Sequence, residues 1–315
     1  MREPVRFGRY LLLDRVDVGG MAEVYAARIA EGEGAGRLVA LKRLLPTLAE
    51  DAELVAMFLD EARIAVQLDH PAIPRVEDLG RHGASYYIAL EYVAGKDLKA
   101  LLDLLAARRE RLPVAIAAHV AVRVLEALDH AHRRRDAAGR ELGIVHRDVS
   151  PRNVLLSFAG EVKLIDFGLA LAAGRGAPGV EGVLRGRAAY MSPEQARGAA
   201  VDRRADVFAA AVVLHEMLTG ARLFAAATDL AAAERVAAAE VPSPCDANPD
   251  VPPALGDVVL AALARDPERR PAWAGELAEA IAPFARGALP EHLAAVLAER
   301  FPEDARRERV RATQA

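Results

Sequence analysis

Two short stretches hold residues whose types and spacing could move a phosphoryl group. "HRDVSPRN", residues 146–153, carries Asp148 and then Asn153, and "LIDFG" ends an apolar run with Asp166, a bulky residue and a glycine. Asp166 and Asn153 supply hard oxygen atoms of the kind that hold magnesium, which phosphoryl transfer needs to neutralise the phosphate oxygens. Asp148 would accept the proton of the attacking hydroxyl and align it. Short matches of this kind are cheap in a chain of 315 residues, so their weight depends on what surrounds them.

The elements that would position these residues follow from apolar spacing. "RYLLLDRV", "AEVYAARI" and "LVALKRLL" are strand-like runs, the first two separated by a turn at Gly19 and Gly20. Residues 52–68 repeat apolar positions at helical spacing (Leu54, Met57, Phe58, Ala62, Ala65), and Pro71 and Pro74 stop that helix. Two further strands fall around "PRVEDLG" and "SYYIALEYV". After Gly95 the pattern turns helical over 97–109, 114–134, 205–218 and 255–264, interrupted by a strand pair, "NVLLS" and "EVKLIDFG", and by a glycine-rich stretch over 174–186.

These patterns predict an α+β fold of two lobes: an antiparallel sheet plus one helix over 1–93 and a mainly helical lobe over 94–284, hinged near Glu91 to Gly95. A charged tail covers 285–315, and its last dozen or so residues read as frayed or disordered.

Composition narrows the setting. Hydrophobic residues make up 53%, a figure inflated by alanine, and the length suffices for one large two-lobed domain or two smaller ones. A net charge of -4 with no basic bias argues against a nucleic-acid partner. The single cysteine, Cys245, cannot form an internal disulfide and fits a reducing cytoplasm. No apolar run reaches the roughly 18 residues of a membrane span; the best candidate, 208–218, is interrupted by His215 and Glu216. The expectation is a cytoplasmic protein without membrane contact.

In order along the chain stand "DVGGMAEV", "VALK", "DEAR", "LEYV", "HRDVSPRN", "DFG", "MSPE", "RRADVFAAAVVLHEMLTG" and "DPERRP". Together they resemble the eukaryotic-like (Hanks-type) bacterial serine/threonine protein kinases over roughly residues 7–283. The resemblance implies ATP and Mg2+ as cofactors and a protein substrate. Lys42 would hold the α- and β-phosphates and pair with Glu61. Val16, Gly19 and Gly20 would lie over the nucleotide, Val24, Ala40 and Leu155 would sandwich the adenine, backbone groups of Glu91 and Val93 would bond its edge, and Leu90 would line the back. Asn153 and Asp166 would hold the metal and Asp148 would be the catalytic base. Glu194 would pair with Arg270, and Asp206 would hold the backbone of the catalytic loop.

The sequence departs from the family pattern in several places. The glycine-rich loop has Asp17, Gly19 and Ala22 where the family has three glycines, although the middle glycine matters most for backbone approach to phosphate. Ser150 replaces a lysine that touches the transferring phosphate, while Arg187 stands where the family has a threonine. This exchange makes Arg187 a candidate catalytic cation. Arg152 precedes Asn153, as is common in tyrosine kinases, which leaves dual specificity open; with Arg185 and Arg187 it favours an acidic segment near the acceptor. Between Phe167 and Tyr190 there is no serine or threonine, so Arg147 has no phosphorylatable Ser/Thr partner there and Glu181 is a candidate acidic substitute. That implies a basal activity insensitive to phosphatase.

Two readings from other classes compete with an active kinase. A pseudokinase scaffold is suggested by Asp17, Ala22 and Ser150, and opposed by the joint presence of Lys42, Glu61, Asp148, Asn153 and Asp166. A small-molecule kinase is opposed by "MSPE" and "DPERRP", which belong to protein kinases.

Overall fold

Alternation along the N-terminal strands builds a sheet with two different faces. A computed structural model describes residues 4–136, 138–167 and 188–313. Strands β1 (Val5–Phe7), β2 (Tyr10–Val18), β3 (Ala22–Ile29), β4 (Leu38–Leu44), β5 (Val76–His82) and β6 (Ser85–Glu91) form one antiparallel sheet in the order β1-β2-β3-β4-β6-β5. Tyr10, Leu12, Ile29, Val39 and Leu41 bury one face. Ala22, Leu44 and Ile88 meet Phe58 and Ala62 of helix α1 (Ala52–Ala65) on the other. The Asp51 carboxylate starts α1 by accepting from the N–H groups of Glu53 and Leu54, at 3.0 and 3.1 Å. The helix ends at Ala65 rather than at Leu68, and the chain turns so that Leu68 is still buried.

The register sets the cleft. Val24 faces Lys42 across β3–β4, and Ala40 faces Leu90 across β4–β6. These four side chains share the α1 face of the sheet but lie half-buried, whereas their chain neighbours Val39 and Leu41 are sealed on the opposite face.

The second lobe is helical, with a three-stranded sheet at its front. It contains β7 (Gly95–Asp97), α2 (Leu98–Arg108), α3 (Val114–His132), β8 (Val154–Ser157), β9 (Val162–Leu164), α4 (Pro193–Ala196), α5 (Arg204–Thr219), α6 (Asp229–Ala238), α7 (Pro244–Ala247), α8 (Pro253–Ala262) and α9 (Ala274–Ile281). Helix α5 is mostly apolar and buried from Ala205 to Thr219, as a central helix must be, and α3 packs against both α5 and α9. β7 approaches β8 so closely that a Cβ on Gly95 would stand 1.9 Å from the Leu156 carbonyl oxygen. Among the described residues no helix is long and apolar enough to cross a membrane.

The tail corrects the expectation of fraying. Residues 290–313 form two helices, α10 (Pro290–Arg300) and α11 (Pro302–Thr313). Leu293 and Leu297, one helical turn apart, join the same apolar core as α3 and α5. α11 is strongly polar; its Arg311 finds a partner in the other lobe, Asp14, its Glu308 one at Tyr92, and its Asp304 one on β7, Lys96. Composition suggested disorder because those partners lie hundreds of residues away in sequence.

Candidate active site

Lys42 on β4 is one of the points where the two lobes meet. Its Nζ donates to Glu61 Oε1 on α1 and to Asp166 Oδ1 beyond β9, each at 2.5 Å. Burial alone would push the Lys42 ammonium down, but the Asp166 and Glu61 carboxylates reverse this and hold it above its ordinary value. Asp166 is held below the carboxylate range by Lys42, against its own burial. Burial wins at Glu61, whose carboxyl is raised despite Lys42. The backbone at Asp166 is left-handed, φ 67°, as it is at Arg147, φ 65°. Such conformations cost side-chain-bearing residues free energy and tend to collect at functional sites.

The 146–153 loop is held from below by α5. Asp206 accepts from the His146 N–H at 2.7 Å and the Arg147 N–H at 2.8 Å, and its Oδ2 also lies 2.8 Å from His132 Nε2. Burial would raise this carboxyl, but the hydrogen bond from His132 and the backbone N–H groups outweigh it and keep it low. His146 ties the loop to the Asp166 segment: its Nε2 lies 3.0 Å from the Ile165 carbonyl oxygen, and its ring meets Phe167 edge-on at 4.6 Å. With Nε2 as donor, Nδ1 is free to accept the Asp148 N–H at 3.3 Å.

Asn153 closes the loop. Its Nδ2 donates to the Asp148 carbonyl at 2.7 Å and to Asp148 Oδ2 at 3.0 Å. The amide oxygen of Asn153 and the second oxygen of Asp166 are therefore the donors suited to a metal. Among the described residues no group of three or more His, Cys, Asp or Glu side chains is arranged to hold one. A pair of protein oxygens completed by substrate phosphates is the usual environment of Mg2+, so this donor set fits it.

The other expected positions lie around this centre. Gly19 and Gly20 form the β2–β3 turn, closed by the Gly19 N–H on the Ala22 carbonyl at 2.8 Å. A Cβ on Gly19 would make only an ordinary 3.5 Å contact with that oxygen, so the fold itself does not demand glycine there. Asp17 is exposed and its carboxylate accepts the Val18 N–H at 2.8 Å, while Ala22 is part of the N-lobe core. Val16 is exposed on β2, and Leu155 is half-buried on β8. Leu90 and Glu91 end β6, with Val93 just beyond. Ser150 is buried and Arg152 exposed. Among the described residues Arg147 Nε is buried with no hydrogen-bond partner. Arg187, Arg185 and Glu181 lie outside the described residues.

Sequence spacing missed several supports. The Glu91 carboxylate accepts from Lys163 Nζ at 2.6 Å, and the Glu91 N–H donates to the Arg75 carbonyl at 2.8 Å. Tyr190 donates its hydroxyl to Glu216 at 2.5 Å, with burial raising both groups. The pair signalled by motif is present: Arg270 grips Glu194 through two parallel bonds of 2.7 and 2.9 Å.

A curled sheet whose lysine is bridged to carboxylates of both lobes, above a loop suspended from a central helix, is the architecture of a protein kinase. A profile of the protein kinase domain matches residues 10–281, and the chain belongs to that family. It is 40% identical over 287 residues to the tyrosine-protein kinase MasK of Myxococcus xanthus, covering 91% of this chain and 44% of MasK. To the serine/threonine-protein kinase PrkC of Bacillus subtilis it is 36% identical over 263 residues, covering 84% of this chain and 38% of PrkC. The chain thus spans less than half the length of these relatives. The solved PknI kinase domain of Mycobacterium tuberculosis superimposes with a TM-score of 0.64 at 30% identity, over 90% of this chain and 99% of that one.

Proposed function

We propose that the chain is an ATP-dependent protein kinase that transfers the γ-phosphate of ATP to serine or threonine hydroxyls of a protein substrate. The observation that carries this reading is the Lys42 bridge: the cation sits 2.5 Å from both Glu61 and Asp166, in the arrangement that family members use for catalysis. Lys42 would orient the α- and β-phosphates, and Asn153 and Asp166 would hold the magnesium, which supplies charge neutralisation at the phosphate oxygens. Asp148, held against Asn153, would take the hydroxyl proton. Val24, Ala40 and Leu155 would sandwich the adenine, with Leu90 behind it and the backbone of Glu91 and Val93 at its edge. Val16 and the Gly19–Gly20 turn would cover the phosphates; since the fold tolerates a side chain at Gly19, close phosphate approach is a reason for its glycine. ATP as donor and a lone Cys245 support a cytoplasmic setting.

Tyrosine is a second acceptor class, favoured by exposed Arg152 and by the likeness to MasK. Arg187 as a stabiliser of the transferring phosphate, and acidic residues beside the acceptor, belong to the same proposal. The test is transfer from radiolabelled ATP with magnesium to a mixture of acidic and basic proteins, followed by phosphoamino acid analysis. Asp148→Asn should lower incorporation by at least about 10²-fold, the usual scale of a lost general base. Label that survives Asp148→Asn, or no label with either protein, would refute catalysis and favour a scaffold. Label on tyrosine alone would reassign the acceptor.

A further inference from the structure

The expected disordered tail instead reaches the cleft. α10 is anchored in the helical lobe by buried Leu293 and Leu297 and by Arg300 Nη2, 2.7 Å from Glu110 Oε2. After a bend at Phe301, α11 runs to the other lobe, held by charge rather than apolar burial. Arg311 is the focus, with its side chain only 9% exposed near the end of an otherwise polar helix. Its Nη1 donates to the Tyr92 hydroxyl and to Glu308 Oε1, and its Nη2 donates to Asp14 Oδ2 at 2.7 Å. The Tyr92 hydroxyl in turn donates to Glu308 Oε2 at 3.0 Å. The Arg311 carbonyl accepts from Arg28 Nη2 on β3 at 2.9 Å. Lys96 on β7 lies 3.6 Å from Asp304 and 5.4 Å from the Phe301 ring centroid.

These contacts join three parts that bound the nucleotide site. Asp14 lies on β2, two residues before Val16; Tyr92 lies between Glu91 and Val93 in the hinge; and α10 is fixed to the helical lobe. A motion that separates β2 from the hinge must stretch or break the chain Asp14–Arg311–Tyr92. Each link is a hydrogen bond to a charged group, the stronger class, and Arg311 is shielded from water.

We propose that Arg311 is a positioning residue for the nucleotide: by fastening hinge Tyr92 to Asp14 of β2, it holds the cleft at the spacing that binds ATP. The proposal rests on the protein kinase reading above. A preorganised hinge binds more tightly because less order must be imposed when the ligand arrives. The effect therefore falls on nucleotide affinity rather than on the chemical step.

The experiment measures ADP binding with magnesium by calorimetry, and ATP KM and kcat, for wild type, Arg311→Ala, Tyr92→Phe and the double variant. Arg311→Ala should weaken ADP binding and raise ATP KM about fivefold, equivalent to roughly 1 kcal/mol, with kcat changed less than about twofold. Tyr92→Phe should have a smaller effect in the same direction, and the double variant should be no weaker than Arg311→Ala, because both cut one chain of contacts. Unchanged ADP affinity in a folded Arg311→Ala protein, even with a lowered melting midpoint, would overturn the proposal by reducing the contact to stability. Effects of the two substitutions that add would overturn it as well. If Arg311→Ala does not fold, Tyr92→Phe and Asp14→Asn carry the test, and unaltered affinity in both overturns it. A wild-type protein that binds no ADP would overturn the kinase reading itself, which distinguishes that failure from this one.

Discussion

Replacing Glu194 by glutamine keeps its volume and removes the charge that Arg270 faces. Arg270 is sealed from solvent, with 0% side-chain exposure against 6% for Glu194. Every guanidinium nitrogen is engaged: Nε on the Ala264 carbonyl at 2.8 Å, Nη1 on Glu194 and the Arg204 carbonyl, Nη2 on Glu194 and the Arg265 carbonyl. Removing one partner of a buried pair strands the other and costs about 3–5 kcal/mol. With an unfolding entropy of about 2.1 cal/mol/K per residue, roughly 300 residues give ~0.6 kcal/mol per degree, so the melting midpoint should drop by about 5–8 °C. Arg270→Met should cost more than Glu194→Gln, since it strands the carboxylate and also leaves those backbone carbonyls without a donor.

The pair also predicts a pH dependence. Burial works to raise the Glu194 carboxyl, but the hydrogen bonds from Arg270 outweigh it and hold it below the ordinary 4.5. A carboxylate depressed in the folded state contributes stability that is fully present above its unfolded value and is lost as pH falls through its folded value. The gap between wild type and Glu194→Gln in chemical or thermal unfolding should be constant from about pH 6 to 8 and close only below the ordinary glutamate range. A Glu194→Gln protein within about 1 kcal/mol of wild type at neutral pH would refute the reasoning, because it would mean that the pair does no more than offset its own dehydration. So would an Arg270→Met protein more stable than Glu194→Gln.

Asp206→Asn should remove an acceptor from the His146 and Arg147 N–H groups, lowering stability by about 1–3 kcal/mol and turnover by more than the fall in folded protein accounts for; melting and initial-rate measurements check both. Gly95→Ala should destabilise by about 1–3 kcal/mol, because its Cβ would stand 1.9 Å from the Leu156 carbonyl oxygen and force β7 away from β8. Urea unfolding of that variant, with an unchanged midpoint as the contrary result, tests the closeness of the two strands.

The parts of the fold that followed from the sequence were those fixed by local repetition. The long helix α3 carries a 3.6-residue pattern, α5 is a long alanine-rich run, and the strands around Lys42 alternate, so their existence was predictable to within a few residues. β1, at three residues, is too short to leave a pattern, and β7 depends on Gly95 admitting the Leu156 backbone. The site residues Lys42, Glu61, Asp148, Asn153 and Asp166 were singled out because motif order joins positions that spacing alone leaves apart. Glu91–Lys163 and Asp14–Arg311 were invisible: a half-buried glutamate in a strand and an arginine in a polar tail look like solvated surface until the partner lies beside them.

The two kinds of contact between the lobes divide the labour of alignment. Apolar packing joins them behind the cleft, where Ile64, Leu68, Ala72 and Ile73 enter the core of the helical lobe. Such packing is non-directional and sets little beyond closeness. At the cleft itself the ties are ionic and geometrically demanding: Lys42 to Asp166, Glu91 to Lys163, Asp14 to Arg311. In the proposed function the first of these is exchangeable, since phosphates and magnesium compete for both its members. The hinge ties have no such competitor. When nucleotide occupies the cleft, Lys163 and Arg311 would therefore bear the alignment that Lys42 gives up, and this is why substitutions at the hinge end should register in nucleotide affinity before they register in the chemistry.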